Sequence, residues 1–158
     1  MKPLHLAVLA VSLVALGPAV SAQAPAPSLP ATYLSNAELS AALKKATATS
    51  PDMSTAPVKN TDQYRINIVH RGKGAGAIAH QPGTEVHHII EGAGTLVTGG
   101  RIVRPAAGSG GTAVIEGGET RRVVVGDVIL IPENTPHWYK DVEGSITYLE
   151  VRFNVPVK

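Results

Sequence analysis

The sequence has no cysteine, so neither a disulfide framework nor a thiolate zinc site can form, and any metal must be held by histidine, aspartate or glutamate. It also lacks a basic run long enough to neutralise a phosphate backbone. Lys and Arg number 14 against 12 Asp and Glu, for a net charge of +2, which argues against a nucleic-acid partner. Its N-terminal apolar run, Leu4 to Leu16, is too short to span a bilayer. The glycine-rich stretches at 72–76 and 108–111 lack the Gly-Lys-Ser/Thr and the following helix of a phosphate loop, and read as turns.

The N-terminus carries a signal of another kind. Met1-Lys2, the short apolar run, the helix-breaking Gly17-Pro18 and the small-x-small ending Val20-Ser21-Ala22 predict a signal peptide over 1–22, cleaved after Ala22. This predicts a secreted or periplasmic protein, with no membrane attachment after cleavage. Loss of Lys2 leaves a net charge of +1, and residues 23–158 suffice for one domain with a substantial core. Residues 23–32 are Pro/Ala-rich and are expected to form an extended tether. Residues 33–56 are expected to hold a helix and a connection, and residues 57–158 a β domain.

Ser35-Asn36-Ala37-Glu38 has capping-box spacing, with Leu34 and Leu39 placed as a hydrophobic staple. The spacing predicts a helix to about Ala46 whose Leu39, Ala42, Leu43 and Ala46 lie on the domain. A Ser/Pro/Asp/Thr-rich connection over 49–57 comes next. Tyr64, Ile66 and Ile68 then alternate with polar residues as in a half-buried strand. Further strands are predicted over Gly76–His80, Glu85–Ile90, Thr95–Thr98, Ala113–Ile115, Arg121–Val125, Val128–Ile131 and Ser145–Phe153, with turns at Gln81-Pro82-Gly83-Thr84, Gly92-Ala93-Gly94 and Glu143-Gly144 and a surface loop over Arg101–Thr112. Many short strands with glycine turns and one N-terminal helix argue for an all-β, antiparallel sandwich or barrel.

The most informative stretch is Gly126 to Asp141. An apolar strand ends at Pro132, a Pro/Asn turn succeeds it, and a second strand opens with His137 on an inward position. A histidine on so fixed a backbone suits a metal ligand. Gly126-x5-Pro132-x-Asn134-x2-His137-x3-Asp141 resembles the second motif of the cupin superfamily, with asparagine in place of glycine at 134 and aspartate in place of asparagine at 141. Asn134 is a mild replacement because asparagine tolerates left-handed backbone geometry. His80, Glu85 and Gly92 match the second histidine, the glutamate and the glycine of that family's first motif. Ile78 stands where its first histidine would be.

The resemblance implies a β-barrel or jelly roll with His80, Glu85 and His137 as metal ligands, and homodimers paired through edge strands. Two imidazoles and one carboxylate with open positions suit Fe(II), Mn(II), Ni(II) or Zn(II). On the strand from Glu85, alternation places His87 inward and His88 outward. Four roles are open to His87: a replacement ligand, a group for proton transfer, a wall of the cavity, or a purely structural hydrogen-bonded histidine. Tyr139 shares the inward face of His137 and is the second candidate for proton transfer, or a core residue with a satisfied hydroxyl. His70 reads as a rim residue, Trp138 as outward-facing, and Arg121-Arg122 as a solvated pair. Two functions compete: a metal-dependent dioxygenase, isomerase or lyase acting on a small oxygenated organic substrate, and a non-catalytic binder of a sugar or metabolite.

Overall fold

The structure, a computed structural model, describes residues 30–154. The predicted signal peptide and most of the tether lie outside the described residues. The chain divides into two units, Met1–Thr32 and Tyr33–Lys158, and the second holds every helix and strand among the described residues. None of those helices is long and apolar enough to cross a membrane.

Helix α1 (Asn36–Thr49) starts at the predicted capping box. The Ser35 hydroxyl accepts from the Glu38 amide at 3.3 Å, and the Glu38 carboxylate accepts from the Ser35 amide at 2.7 Å. Leu39, Ala42, Leu43 and Ala46 are half-buried, on the side packed against the sheet. The helix continues past Ala46 because no breaker intervenes, and the Ser50 amide still donates to the Ala46 carbonyl.

Eight strands make up the rest: β1 (Met53–Asn60), β2 (Tyr64–Arg71), β3 (Thr84–Thr98), β4 (Arg101–Val103), β5 (Val114–Glu116), β6 (Glu119–Val124), β7 (Val128–Ile131) and β8 (His137–Phe153). The main sheet has the order β1-β2-β8-β3-β6, with β7 also against β3, and β4-β5 form a separate ribbon. Every pairing is antiparallel, and the ladders do not close into a hydrogen-bonded ring. The all-β antiparallel class with one short helix is as the sequence predicts. Val69, Ile89, Leu96, Val123, Tyr139, Ile146 and Tyr148 form the core.

Several boundaries differ from the sequence expectation, each for a local reason. The connection over 49–57 is in part β1. Its inward residues are Ser54 and Ala56, too small to register as a strand pattern, and Pro57 is tolerated because β1 is an edge. The turns expected at Gly92-Ala93-Gly94 and Glu143-Gly144 are instead irregularities inside long strands, where the β3–β8 register shifts. Gly92, at φ +73°, lies so close to β8 that an added Cβ would sit 1.9 Å from the Ser145 carbonyl oxygen. Here glycine permits close backbone approach, not chain reversal. The strand expected over Gly76–His80 reduces to a single bridge between Ile78 and His137. The loop expected over Arg101–Thr112 begins with β4, paired to β5.

The irregularity in β8 curls that strand. Tyr139 and Tyr148 would lie about 30 Å apart on a straight strand, yet their rings stack at 5.0 Å between centroids. The inner faces of the two halves of β8 therefore meet, and His137 at one end comes near residues that face Glu150 at the other.

Asn134, at φ +62°, is the non-glycine residue in left-handed geometry among the described residues. Its amide donates to the His80 carbonyl at 2.9 Å, so the turn ties one candidate ligand segment to the other. Asn134→Gly should leave stability within a few tenths of a kcal/mol, whereas Asn134→Ala should cost about 1 kcal/mol. Urea unfolding of the two variants checks this; equal midpoints would show that the turn imposes no such demand.

Candidate metal centre

Backbone hydrogen bonds assemble the site before any side chain is considered. The Ile78 amide donates to the His137 carbonyl at 3.0 Å and the His137 amide to the Ile78 carbonyl at 2.8 Å; with the Asn134 bond, these hold the start of β8 against the segment carrying His80. Ile78, in the position of the absent histidine, contributes this bridge while its side chain is 37% exposed. Glu85, near the start of β3, completes the group. His80 Nε2 is 3.4 Å from Glu85 Oε1, and His137 Nε2 is 3.6 Å from Glu85 Oε2. One ligand atom from each of the three residues lies within 4.8 Å of the others.

The donor chemistry fits a divalent cation. His137 Nδ1 lies 3.0 Å from the Thr135 carbonyl; since a carbonyl only accepts, Nδ1 carries the proton and Nε2 presents its lone pair toward Glu85. Burial holds the His137 imidazole below its ordinary pKa, outweighing the Thr135 bond and the Glu85 charge, and burial likewise lowers His80. Both rings are therefore neutral, as ligation needs. Burial alone would raise the Glu85 carboxyl. The His87 hydrogen bond, the adjacent His137 ring, the Arg152 guanidinium and the His80 ring more than offset it and hold the group down at about 2. Glu85 is thus ionised while 1% exposed. Its Oε1 stands 2.5 Å from an Arg152 terminal nitrogen but receives no aligned hydrogen bond. A buried, ionised carboxylate flanked by two imidazoles matches a hard or borderline metal.

His87 faces inward as predicted and is 1% exposed, whereas His88 is exposed. Burial pushes the Tyr139 hydroxyl well above its ordinary pKa, so Tyr139 keeps its proton, and its hydroxyl lies 3.1 Å from His87 Nδ1. The ionised Glu85 carboxylate only accepts, so His87 Nε2 donates to Glu85 Oε2 at 3.0 Å. Tyr139, His87 and Glu85 form one oriented chain. His87 also belongs to a second, fully buried group that could hold a cation, with Glu85 and Glu150, its Nε2 being 3.9 Å from Glu150.

The structure adds residues that sequence reasoning did not assign to the site. Glu150 and Arg152 face Glu85 and His87 across the β3–β8 ladder. Asn67 on β2 donates to Glu150 at 2.7 Å. Arg71 donates to the Tyr148 hydroxyl at 3.0 Å and lies over the Tyr139 ring; burial pushes the Tyr148 hydroxyl up to about 12. The alternation of Tyr148, Glu150 and Arg152 against Thr147, Leu149 and Val151 was a readable signal. His70 is half-buried and bonds Thr147. The indole N–H of half-buried Trp138 donates to the Ala75 carbonyl. Arg121 and Arg122 are exposed and ion-paired to Glu119 and Glu143.

These shifts fix a pH dependence for the metal-free protein. His80 and His137 take up protons more readily unfolded, near 6.5, than folded, and Glu85 more readily near 4.5 than at about 2. In each case the unfolded chain binds the extra proton, so stability present above the unfolded value is lost as pH falls. Urea midpoints of the EDTA-treated protein should decline below pH 6.5 and decline further below 4.5. A flat profile over that window would contradict the buried, neutral histidines.

No family model matches the chain, and no curated protein matches it. Solved structures do. HppE, solved with cobalt(II) in complex with substrate, aligns with a TM-score of 0.51 and 15% identity over 65% of this chain and 53% of its own. The DMSP lyase DddQ from Ruegeria pomeroyi aligns with a TM-score of 0.50 and 16% identity over 68% of this chain and 49% of its own. A cupin superfamily protein from Desulfitobacterium hafniense has a TM-score of 0.46 and 13% identity, over 65% of this chain and 78% of its own. The chain spans about half the length of HppE and of DddQ. At such identities the likeness concerns the fold, and that fold is the cupin fold.

Proposed function

We propose that this chain binds one divalent first-row metal, Fe(II), Mn(II), Ni(II) or Zn(II), through His80, Glu85 and His137, and acts there on a small oxygenated organic substrate. The observation that carries the proposal is Glu85: a carboxylate 1% exposed, ionised, flanked by two neutral imidazoles, and with Oε1 unfilled by any aligned donor. Two imidazoles and one carboxylate leave coordination positions open, and a metal so held supplies Lewis-acid or oxygen-activating chemistry. The residues beside it have separate tasks. The Thr135 carbonyl orients the His137 ring, His87 fixes the Glu85 carboxylate, and Tyr139 with His87 holds a proton within hydrogen-bond reach of that carboxylate. Residues 1–22 support a secreted or periplasmic setting.

A second reading is favoured by one specific feature. Arg152 already offsets the Glu85 charge and Ile78 offers no ligand, an arrangement that also suits a non-catalytic small-molecule binder. EDTA-treated protein without an affinity tag separates the two. Added Mn(II), Ni(II), Zn(II), or Fe(II) under argon, should raise its melting temperature, by about 3 kcal/mol of stabilisation at a hundredfold excess over Kd, and should fail to do so in His137→Ala. No shift with any of the four ions would leave the binder reading.

A further inference from the structure

Across the sheet, one row of register partners runs Asn60, Arg65, Arg152, Glu85 and Ile131, from β1 through β2, β8 and β3 to β7. Direct partners on antiparallel strands share a face with Cβ atoms about 5 Å apart, and like charges placed so are unfavourable. Arg65 and Arg152 are such a pair. Arg152 has Glu85 on its other side; Arg65 pairs with no carboxylate among the described residues. The exposed arginines 121 and 122, by contrast, each have a glutamate.

Both arginines border a cleft of about 570 Å³ that Asn60, Pro82 and Asn154 also line, with Asp62 its sole carboxylate. Arg152 joins that cleft to the buried carboxylate, one terminal nitrogen against Glu85 and its Nε buried without an acceptor. Its stem is pinned by the backbone at Gly83, where φ is +126° and an added Cβ would lie 2.9 Å from Arg152 Cγ. A fixed guanidinium beside a second one that has no carboxylate partner among the described residues suits an oxyanion.

We propose that this cleft is a carboxylate-binding subsite in which Arg65 and Arg152 hold the anionic end of a small organic acid, with Asn60 and Asn154 as neutral partners. It rests on the metal reading only in calling that acid a substrate; the anion site itself stands on the arginine row. Arg152 touches both the cleft and Glu85, so the bound acid lies beside the candidate metal ligands.

Titration calorimetry with succinate, its neutral diamide and inorganic phosphate tests this on EDTA-treated and on Mn(II)-supplemented protein. Succinate should bind metal-free protein and the diamide should not. Arg65→Gln should weaken succinate by about tenfold or more, and Arg65→Lys by less. Arg65 is exposed, and a circular dichroism melt verifies that each variant folds. No succinate binding in either form, or equal binding by Arg65→Gln, overturns the subsite. Binding that needs Mn(II) and ignores Arg65 also overturns it and leaves the metal reading intact. Phosphate binding tighter than succinate overturns the carboxylate class. Arg65-dependent succinate binding in a protein that Mn(II) does not stabilise upholds the subsite and removes the metal reading.

Discussion

Glu85→Gln should lower Mn(II) affinity by about 100-fold or more and, without metal, cost roughly 2–3 kcal/mol of stability. The substitution keeps the shape of the side chain and removes its charge. A neutral amide then replaces the carboxylate beside the two histidines, so affinity drops by more than the loss of an orienting group would cause. The stability cost has a separate origin. Arg152 would lose the anionic charge at 2.5 Å and keep as its carboxylate only Glu150 at 3.9 Å, while being 16% exposed. That partial exposure places the effect at the low end of the range for a broken buried pair. Calorimetric titration with Mn(II) and urea unfolding measure the two effects independently. Unchanged Mn(II) affinity would remove Glu85 from the ligands even if stability fell.

Tyr148→Ala should cost about 4 kcal/mol, close to the whole stability of a marginal domain. Its ring is fully buried, stacked on Tyr139 at 5.0 Å and on His87 at 4.4 Å. Removal opens a cavity where the two halves of curled β8 meet, and the melting temperature should fall by about 15 °C. Tyr148→Phe keeps the stack and strands only the Arg71 Nε donor, itself buried, at a cost of about 1–3 kcal/mol. Thermal melts of both variants decide the matter. If alanine costs no more than phenylalanine, the hydroxyl and not the stack holds this region.

How much of the site was legible in the sequence depends on which residues carried a local signal. His80, Glu85 and His137 were legible because their spacing is set by turns made of proline, glycine and asparagine, whose backbone demands are local. His87 was placed inward by alternation alone. Glu150 and Arg152 were not assigned to the site because alternation separates two faces without saying which is inner. The usual rule that apolar residues point inward would have chosen Leu149 and Val151. In this strand the polar face lines the site and the apolar one is half-buried on the opposite side.

Strand continuity was hidden for a related reason. Gly92 looks like a turn residue in sequence, but its role depends on a partner strand remote in the chain. Likewise β1, whose only buried residues are Ser54 and Ala56, shows little apolar rhythm, and its existence depends on pairing with β2. The antiparallel class is insensitive to these differences, since shifting or fusing strands does not change what kind of sheet they build.

The most direct measurement is anomalous X-ray scattering from crystals of the tag-free protein soaked in Mn(II). A single anomalous peak among His80 Nε2, Glu85 and His137 Nε2 is the predicted result, with Arg152 no longer against Glu85 Oε1. A peak among Glu85, His87 and Glu150 would move the site to the second buried group, and crystals with no peak near Glu85 would contradict a metal centre in this fold.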